Sequence, residues 1–141
     1  MKRTGFALAA ILMLVLTIGL RPAWSELDSK QAAQIKRGKY LVERVTLCVQ
    51  CHSSRNEKGE LVEAQLLHGA AIPVKSPYNY AQWAVASPNI AGLRGYSEEE
   101  GIRLLTKGIT RKGSPPRAPM PPYRLSEKDA RAVVTYLKSL P

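Results

Sequence analysis

The residues with the greatest chemical capacity sit in one pentapeptide, CVQCH, from Cys48 to His52, which holds both cysteines of the chain. Two thiols lie three residues apart, and an imidazole follows directly. Three chemistries fit that set. Each thiol can add across a vinyl group of one porphyrin, leaving the imidazole for the iron. C-x-x-C-H is the attachment pattern for covalent haem, with histidine as one axial ligand. A structural zinc ion needs four N or S donors. The whole chain offers two Cys and two His, and His52 adjoins Cys51, which makes joint coordination awkward. A dithiol redox pair expects a strand–helix–strand setting that the sequence does not show. A plain disulfide here would tie down little chain. One covalently bound haem c, with its iron, is therefore the expected cofactor.

The second axial position of such an iron is open to methionine, to histidine or to nothing. Met1 and Met13 lie in an apolar N-terminal stretch, which leaves Met120, 68 residues after His52, inside SPPRAPMPPYR. Proline fixes its own φ and restricts the residue before it. The Pro119-Met120-Pro121-Pro122 run is thus a stiff strap, suited to holding a weak thioether against a metal. The plain structural alternative is that Met120 fills a gap in the core. His68, in LLHGAAIP, is the rival ligand. Bis-histidine ligation would lower the potential relative to His/Met.

The elements that must position these groups read as helices and loops. Met1, Lys2 and Arg3 precede an uncharged run from Phe6 to Leu20, and Ala23-Trp24-Ser25 sets small residues three and one places before Glu26. That layout predicts a secretory signal peptide over 1–25, or a retained membrane anchor, although spanning needs about 20 apolar residues. Residues 26–141 then form one domain. Residues 28–47 predict a helix capped by Asp28 or Ser29, with Ala32, Ile35, Leu41, Val42 and Val45 on its apolar stripe. Gly38 interrupts it at a cost of about 1 kcal/mol against alanine, which the close approach of another element would justify. Residues 53–92 are loop-rich. Ser97 starts a helix whose acidic first turn suits the helix dipole; Ile102, Leu104 and Leu105 give its apolar side, and Gly108 ends it. The proline-rich stretch 111–124 is an extended loop. Ser126 starts the last helix, with Ala130, Val133, Val134 and Leu137 as its stripe. No stretch alternates well enough to predict a sheet, so the class is all-α with long loops.

Of 21 basic residues, 18 follow Ser25 against all 11 acidic ones, so the exported part carries +7. Export argues against nucleic acid as the partner. Acidic protein surfaces or anionic lipid fit better, with membrane contact expected if the N-terminal segment is retained.

In order, these features resemble class I cytochromes c: helix, CxxCH, a Pro-Asn segment, an inner helix, a methionine loop and a terminal helix, over about residues 30–140. The piece SPNIAGLRG, Ser87 to Gly95, is similar to that family's G-P-N-L-x-G-L-x-G segment. The resemblance implies three main helices with long loops around a covalently bound haem. It implies that the Pro88 carbonyl accepts a hydrogen bond from the unligated nitrogen of His52, and that Gly38, Tyr40 and Leu41 mark the crossing of the first helix with the last near Tyr136 and Leu137. Arg94 is placed to pair with a haem propionate. The gap from His52 to Pro88 is longer than in short members, with Tyr78, Tyr80 and Trp83 in the extra segment over 53–86. That layout is closer to the cytochrome subunits of periplasmic alcohol and sugar-acid dehydrogenases, although the single CxxCH means one haem. The implied function is periplasmic electron transfer between redox proteins with His52 and Met120 on the iron, rather than an enzyme activity of its own. The alternative is a haem sensor or peroxidase-like protein with a labile sixth ligand. Arg103, Lys107, Arg111, Lys112, Arg117 and Arg124 would steer acidic partners.

Overall fold

The helices over 98–107 and 127–139 each begin where a serine side chain satisfies an open backbone donor of the first turn. The computed structural model describes residues 23–78 and 83–141, so the expected signal segment before Ala23, together with Tyr80, lies outside the described residues. The chain divides into two units, 1–32 and 33–141. Helix α1 spans Ala23–Tyr40. Asp28 and Ser29 therefore do not cap it: Ser29 Oγ donates to the Glu26 carbonyl within the helix, and Lys30 pairs with Glu26 at 2.7 Å.

Helix α1 passes into one wide π-turn, Leu41–Val45, closed by Thr46 N–H donating to Leu41 O at 2.8 Å. The extra residue in that turn shifts the phase of the stripe. Leu41 and Val42 stay buried, whereas Val45 is left exposed, as is Ala32, contrary to the simple helical expectation. After Leu47, in the left-handed region at φ 52°, comes the short helix α2, Cys48–His52.

Helix α3, Glu98–Lys107, starts at Ser97 with a complete capping box. Ser97 Oγ accepts from Glu100 N–H, and the Glu100 carboxylate accepts from Ser97 N–H. Helix α4, Glu127–Ser139, starts at Ser126, whose hydroxyl accepts from Asp129 N–H at 3.2 Å. Its buried side is Ala130, Ala132, Val133, Val134, Tyr136 and Leu137, packed with Leu41, Val42, Val49, Leu67, Ala91 and Leu105 in one core. The crossing of α1 with α4 explains Gly38. A Cβ there would lie 2.0 Å from Ala132 O and 2.6 Å from Tyr136 Cβ. The architecture is all-α with long loops, plus one small departure. Two-residue strands β1, Ala70–Ala71, and β2, Ala86–Ser87, pair antiparallel, Ala70 with Ser87 and Ala71 with Ala86. Residues this short and small carry no alternation for a sequence pattern to reveal. Among the described residues no helix is long and apolar enough to cross a membrane.

Candidate functional site

Helix α2 is one turn, so the thiols of Cys48 and Cys51 fall on one side of it, three residues apart. Both are half-buried and neither forms a disulfide. Burial pushes the Cys48 thiol up, opposed by the Thr46 hydroxyl 3.2 Å from its sulfur. His52, which closes the turn, is buried. Its Nδ1 lies 2.9 Å from Pro88 O. A carbonyl only accepts, so Nδ1 carries the proton and Nε2 keeps its lone pair for another partner. Burial pulls the His52 pKa below its ordinary value, which keeps the ring neutral and able to bind a metal.

The backbone behind the imidazole is knitted from three segments. Gly69 N–H donates to His52 O at 2.8 Å, and the Ser53 hydroxyl accepts from Leu67 N–H at 2.9 Å. Leu67 O in turn accepts from Ile90 and Ala91 N–H. The Ser87 hydroxyl accepts from Ala70 N–H and donates to Cys51 O at 2.6 Å. With one proton to give, it serves the Ala70 carbonyl at 3.1 Å only as the weaker alternative. Gly69, at φ +86°, lies under the 87–89 backbone, where a Cβ would stand 2.7 Å from Ser87 O. These bonds place Pro88 O on the ring nitrogen; a metal ligand held this way gains basicity and a fixed orientation.

The remaining predicted residues fall as follows. Met120 is half-buried, and its N–H donates to Arg117 O at 3.1 Å. The same loop returns beside the thiols at Tyr123, whose hydroxyl donates to Thr46 O at 2.8 Å. The Tyr123 pKa is pushed up to about 12, first by burial and then by Cys48 and Cys51. His68 is exposed, its Nδ1 2.8 Å from the carbonyl of its own neighbour Leu66. Arg94 is exposed at the end of the turn Ala91–Leu93. Of the basic residues, Lys107, Arg111, Lys112, Arg117 and Arg124 are exposed. Arg111 bonds Gly95 O at 2.7 Å and lies 5.9 Å from the Tyr96 ring centre, while Arg103 is half-buried with its Nε enclosed. Sequence reasoning missed Ser87, Gly69, Thr46 and Tyr123. Ser87 and Gly69 act through backbone contacts across long chain separations, and nothing in their local sequence announces it.

As a donor set, two sulfurs on one turn and a neutral imidazole with a free Nε2, beside a buried apolar core, fit a covalently attached haem. Among the described residues, no three of His, Cys, Asp and Glu converge to hold a metal ion in any other way. The sequence model of the cytochrome c family matches residues 35–141. The chain is 31% identical over 121 residues to a component of the nicotinate dehydrogenase of Pseudomonas putida, an alignment covering 80% of this chain and 10% of that protein. It is 30% identical over 148 residues to the cytochrome c subunit of a quinone alcohol dehydrogenase of Gluconobacter oxydans, covering 96% of this chain and 27% of that one. The chain thus spans a tenth and about a quarter of the length of these two curated relatives.

Proposed function

Because the chain belongs to the cytochrome c family and carries covalent haem c on its CxxCH motif, we propose that it is a periplasmic, single-haem electron carrier whose iron is held by His52 and Met120. When bound, the haem supplies a one-electron ferric–ferrous couple. Cys48 and Cys51 fix the porphyrin to α2. His52 presents Nε2 while Pro88 O holds the opposite ring nitrogen, the single observation that carries the reading. Met120, in its proline strap, presents a neutral thioether that raises the potential relative to a second imidazole. His68 is the weaker candidate, because its ring is turned to its own backbone on an exposed surface. Arg94 is a candidate partner for a propionate. With both axial positions filled by side chains, small ligands are shut out, which favours transfer over catalysis.

The exposed basic residues of the methionine loop favour an acidic redox partner. Electrostatic steering raises the encounter rate more than the affinity, and screening acts over about 8 Å at physiological ionic strength. Since both relatives are named as dehydrogenase components, we assign the donor to a dehydrogenase subunit or domain. The N-terminal segment exports the chain, by cleavage after Ser25 or with the segment kept as an anchor.

The test is the visible spectrum of matured protein with pyridine haemochrome, together with its mass. One covalent haem on a chain beginning at Glu26, a weak ferric band near the red end of the visible, and no carbon monoxide binding by the ferrous form are expected. In Met120→Ala that band is lost and carbon monoxide binds. Carbon monoxide binding by the unaltered protein at neutral pH would transfer the assignment to a sensor or peroxidase-like protein. Electron transfer to an acidic partner should slow as salt rises, and a flat salt profile removes the steering.

A further inference from the structure

The longer segment between His52 and Pro88 ends in two described arms, 69–74 and 83–88, that run antiparallel. Beyond the two paired strands, Ile72 N–H donates to Val85 O at 2.9 Å, and Trp83 Nε1 donates to Val74 O at 3.1 Å. At their base the arms are fastened to the histidine turn. Gly69 N–H is on His52 O, the Ser87 hydroxyl is on Cys51 O, and Pro88 O is on His52 Nδ1. Further out, the second arm is fastened to the methionine loop. Ala84 N–H donates to Ala118 O at 2.7 Å, and Arg117 Nη2 reaches Trp83 O at 3.4 Å. Ala118 lies two residues before Met120, and Arg117 O accepts from Met120 N–H.

Resting on the His/Met reading above, we propose that these arms are a brace that carries the position of the CVQCH turn across to residues 117–120, making Ala84 a positioning residue for Met120. A thioether is a weak neutral donor, so its hold on iron is the intrinsic bond less the entropy of ordering the loop that carries it. The loop between α3 and α4 is tied near its end by Leu125 N–H on Leu105 O and by Tyr123 on Thr46 O. Prolines stiffen the strap but do not fix where it sits. The arm supplies a backbone anchor two residues from the sulfur-bearing side chain. Of the arms' side chains, Val74 is 51% and Val85 83% exposed, while Ile72, Trp83 and Ala84 are half-buried. The fastening of the arms at both ends runs through hydrogen bonds to backbone.

The experiment measures imidazole binding to the ferric, haem-loaded protein. In one variant, Asn-Gly replaces residues 73–84. Ile72 and Val85 then close a two-residue hairpin, which keeps Gly69, Ser87 and Pro88 and removes Ala84. In a second, Ala84→Pro deletes the donor N–H while keeping the rest of the arm, at the cost of fixing φ at 84 and restricting Trp83. Each should retain covalent haem, weaken the red ferric band and bind imidazole about tenfold more tightly, equivalent to about 1.4 kcal/mol. A purely structural role would lower the melting temperature and leave imidazole affinity of the folded molecule where it was. Tightening beyond about threefold in either variant supports the brace; less than that in both overturns it. Met120→Ala is measured alongside. If it binds imidazole no better than the parent and keeps the red band, the His/Met assignment fails and the brace with it. If it opens the site while the arm variants do not, the brace alone is lost.

Discussion

Gly38→Ala puts a methyl group into the tightest point of the fold. The added carbon would stand 2.0 Å from Ala132 O and 2.6 Å from Tyr136 Cβ, where ordinary contact begins at 3.4 Å. The first obstacle is a backbone oxygen inside α4, which cannot swing aside as a side chain can. The helices must part by about 1.4 Å at the crossing, and the overpacking cost is about 1–3 kcal/mol in general. Parting them also loosens Leu41, Val42, Val133 and Leu137 against one another. A rigid obstacle puts this site at or above the top of that range. Alanine returns about 1 kcal/mol of helix propensity. The net expectation is a loss of about 2–3 kcal/mol. Gly101→Ala is the internal control, because there the new carbon meets Val134 Cγ2 at 2.8 Å and Leu93 Cδ2 at 3.2 Å, both side-chain ends. Its propensity gain offsets most of the crowding, for a net change within about 1 kcal/mol. Urea unfolding of the haem-loaded protein, followed by circular dichroism and by haem absorbance, measures both and tests two-state behaviour. An unchanged midpoint for Gly38→Ala, or a larger loss for Gly101→Ala, refutes the reasoning.

Three further outcomes follow from other parts of the molecule. Ser97→Ala removes the acceptor for Glu100 N–H and half of the capping box, and should cost about 1 kcal/mol in the same unfolding assay. Tyr136 holds its proton up to about 12, through burial and then its bond to Glu43, against about 10 in an unfolded chain. That contribution is complete below about pH 10 and fades as pH rises through about 12, so Tyr136→Phe should flatten the alkaline loss of stability, read as melting temperature against pH. His68→Gln should leave the visible spectrum and the midpoint potential unchanged; a shift in either would put His68 rather than Met120 on the iron.

The parts legible from sequence were those written locally. Ser97 with Glu100, and Ser126 with Asp129, announce the starts of α3 and α4; the stripe of α4 is found buried, while on α3 Leu105 is buried and Ile102 and Leu104 are half-buried. CVQCH announces the cofactor by itself. Gly38 pointed to a close approach, and the resemblance supplied its partner near Tyr136. What escaped is specified at a distance. The π-turn at Leu41–Val45 depends on how α1 meets its neighbours, and it moved Val45 out of the stripe. Asp28 and Ser29 are good capping residues that the helix simply runs through. Ala70, Ala71, Ala86 and Ser87 have no pattern of their own. Their pairing is fixed by where Cys51 and His52 present their carbonyls, so the arms read as loop.

The α1–α4 crossing also joins the two ends of the domain. Gly38 and Ala132 are 94 residues apart in the chain, and bringing them together costs the closure entropy of the chain between them. The 13 residues of α4 must be present before the core beside α2 can shut. In the finished molecule the sulfurs of Cys48 and Cys51 are half covered. The chemistry that stitches a porphyrin to them therefore has its best access on a chain in which α1 and α4 have not yet met.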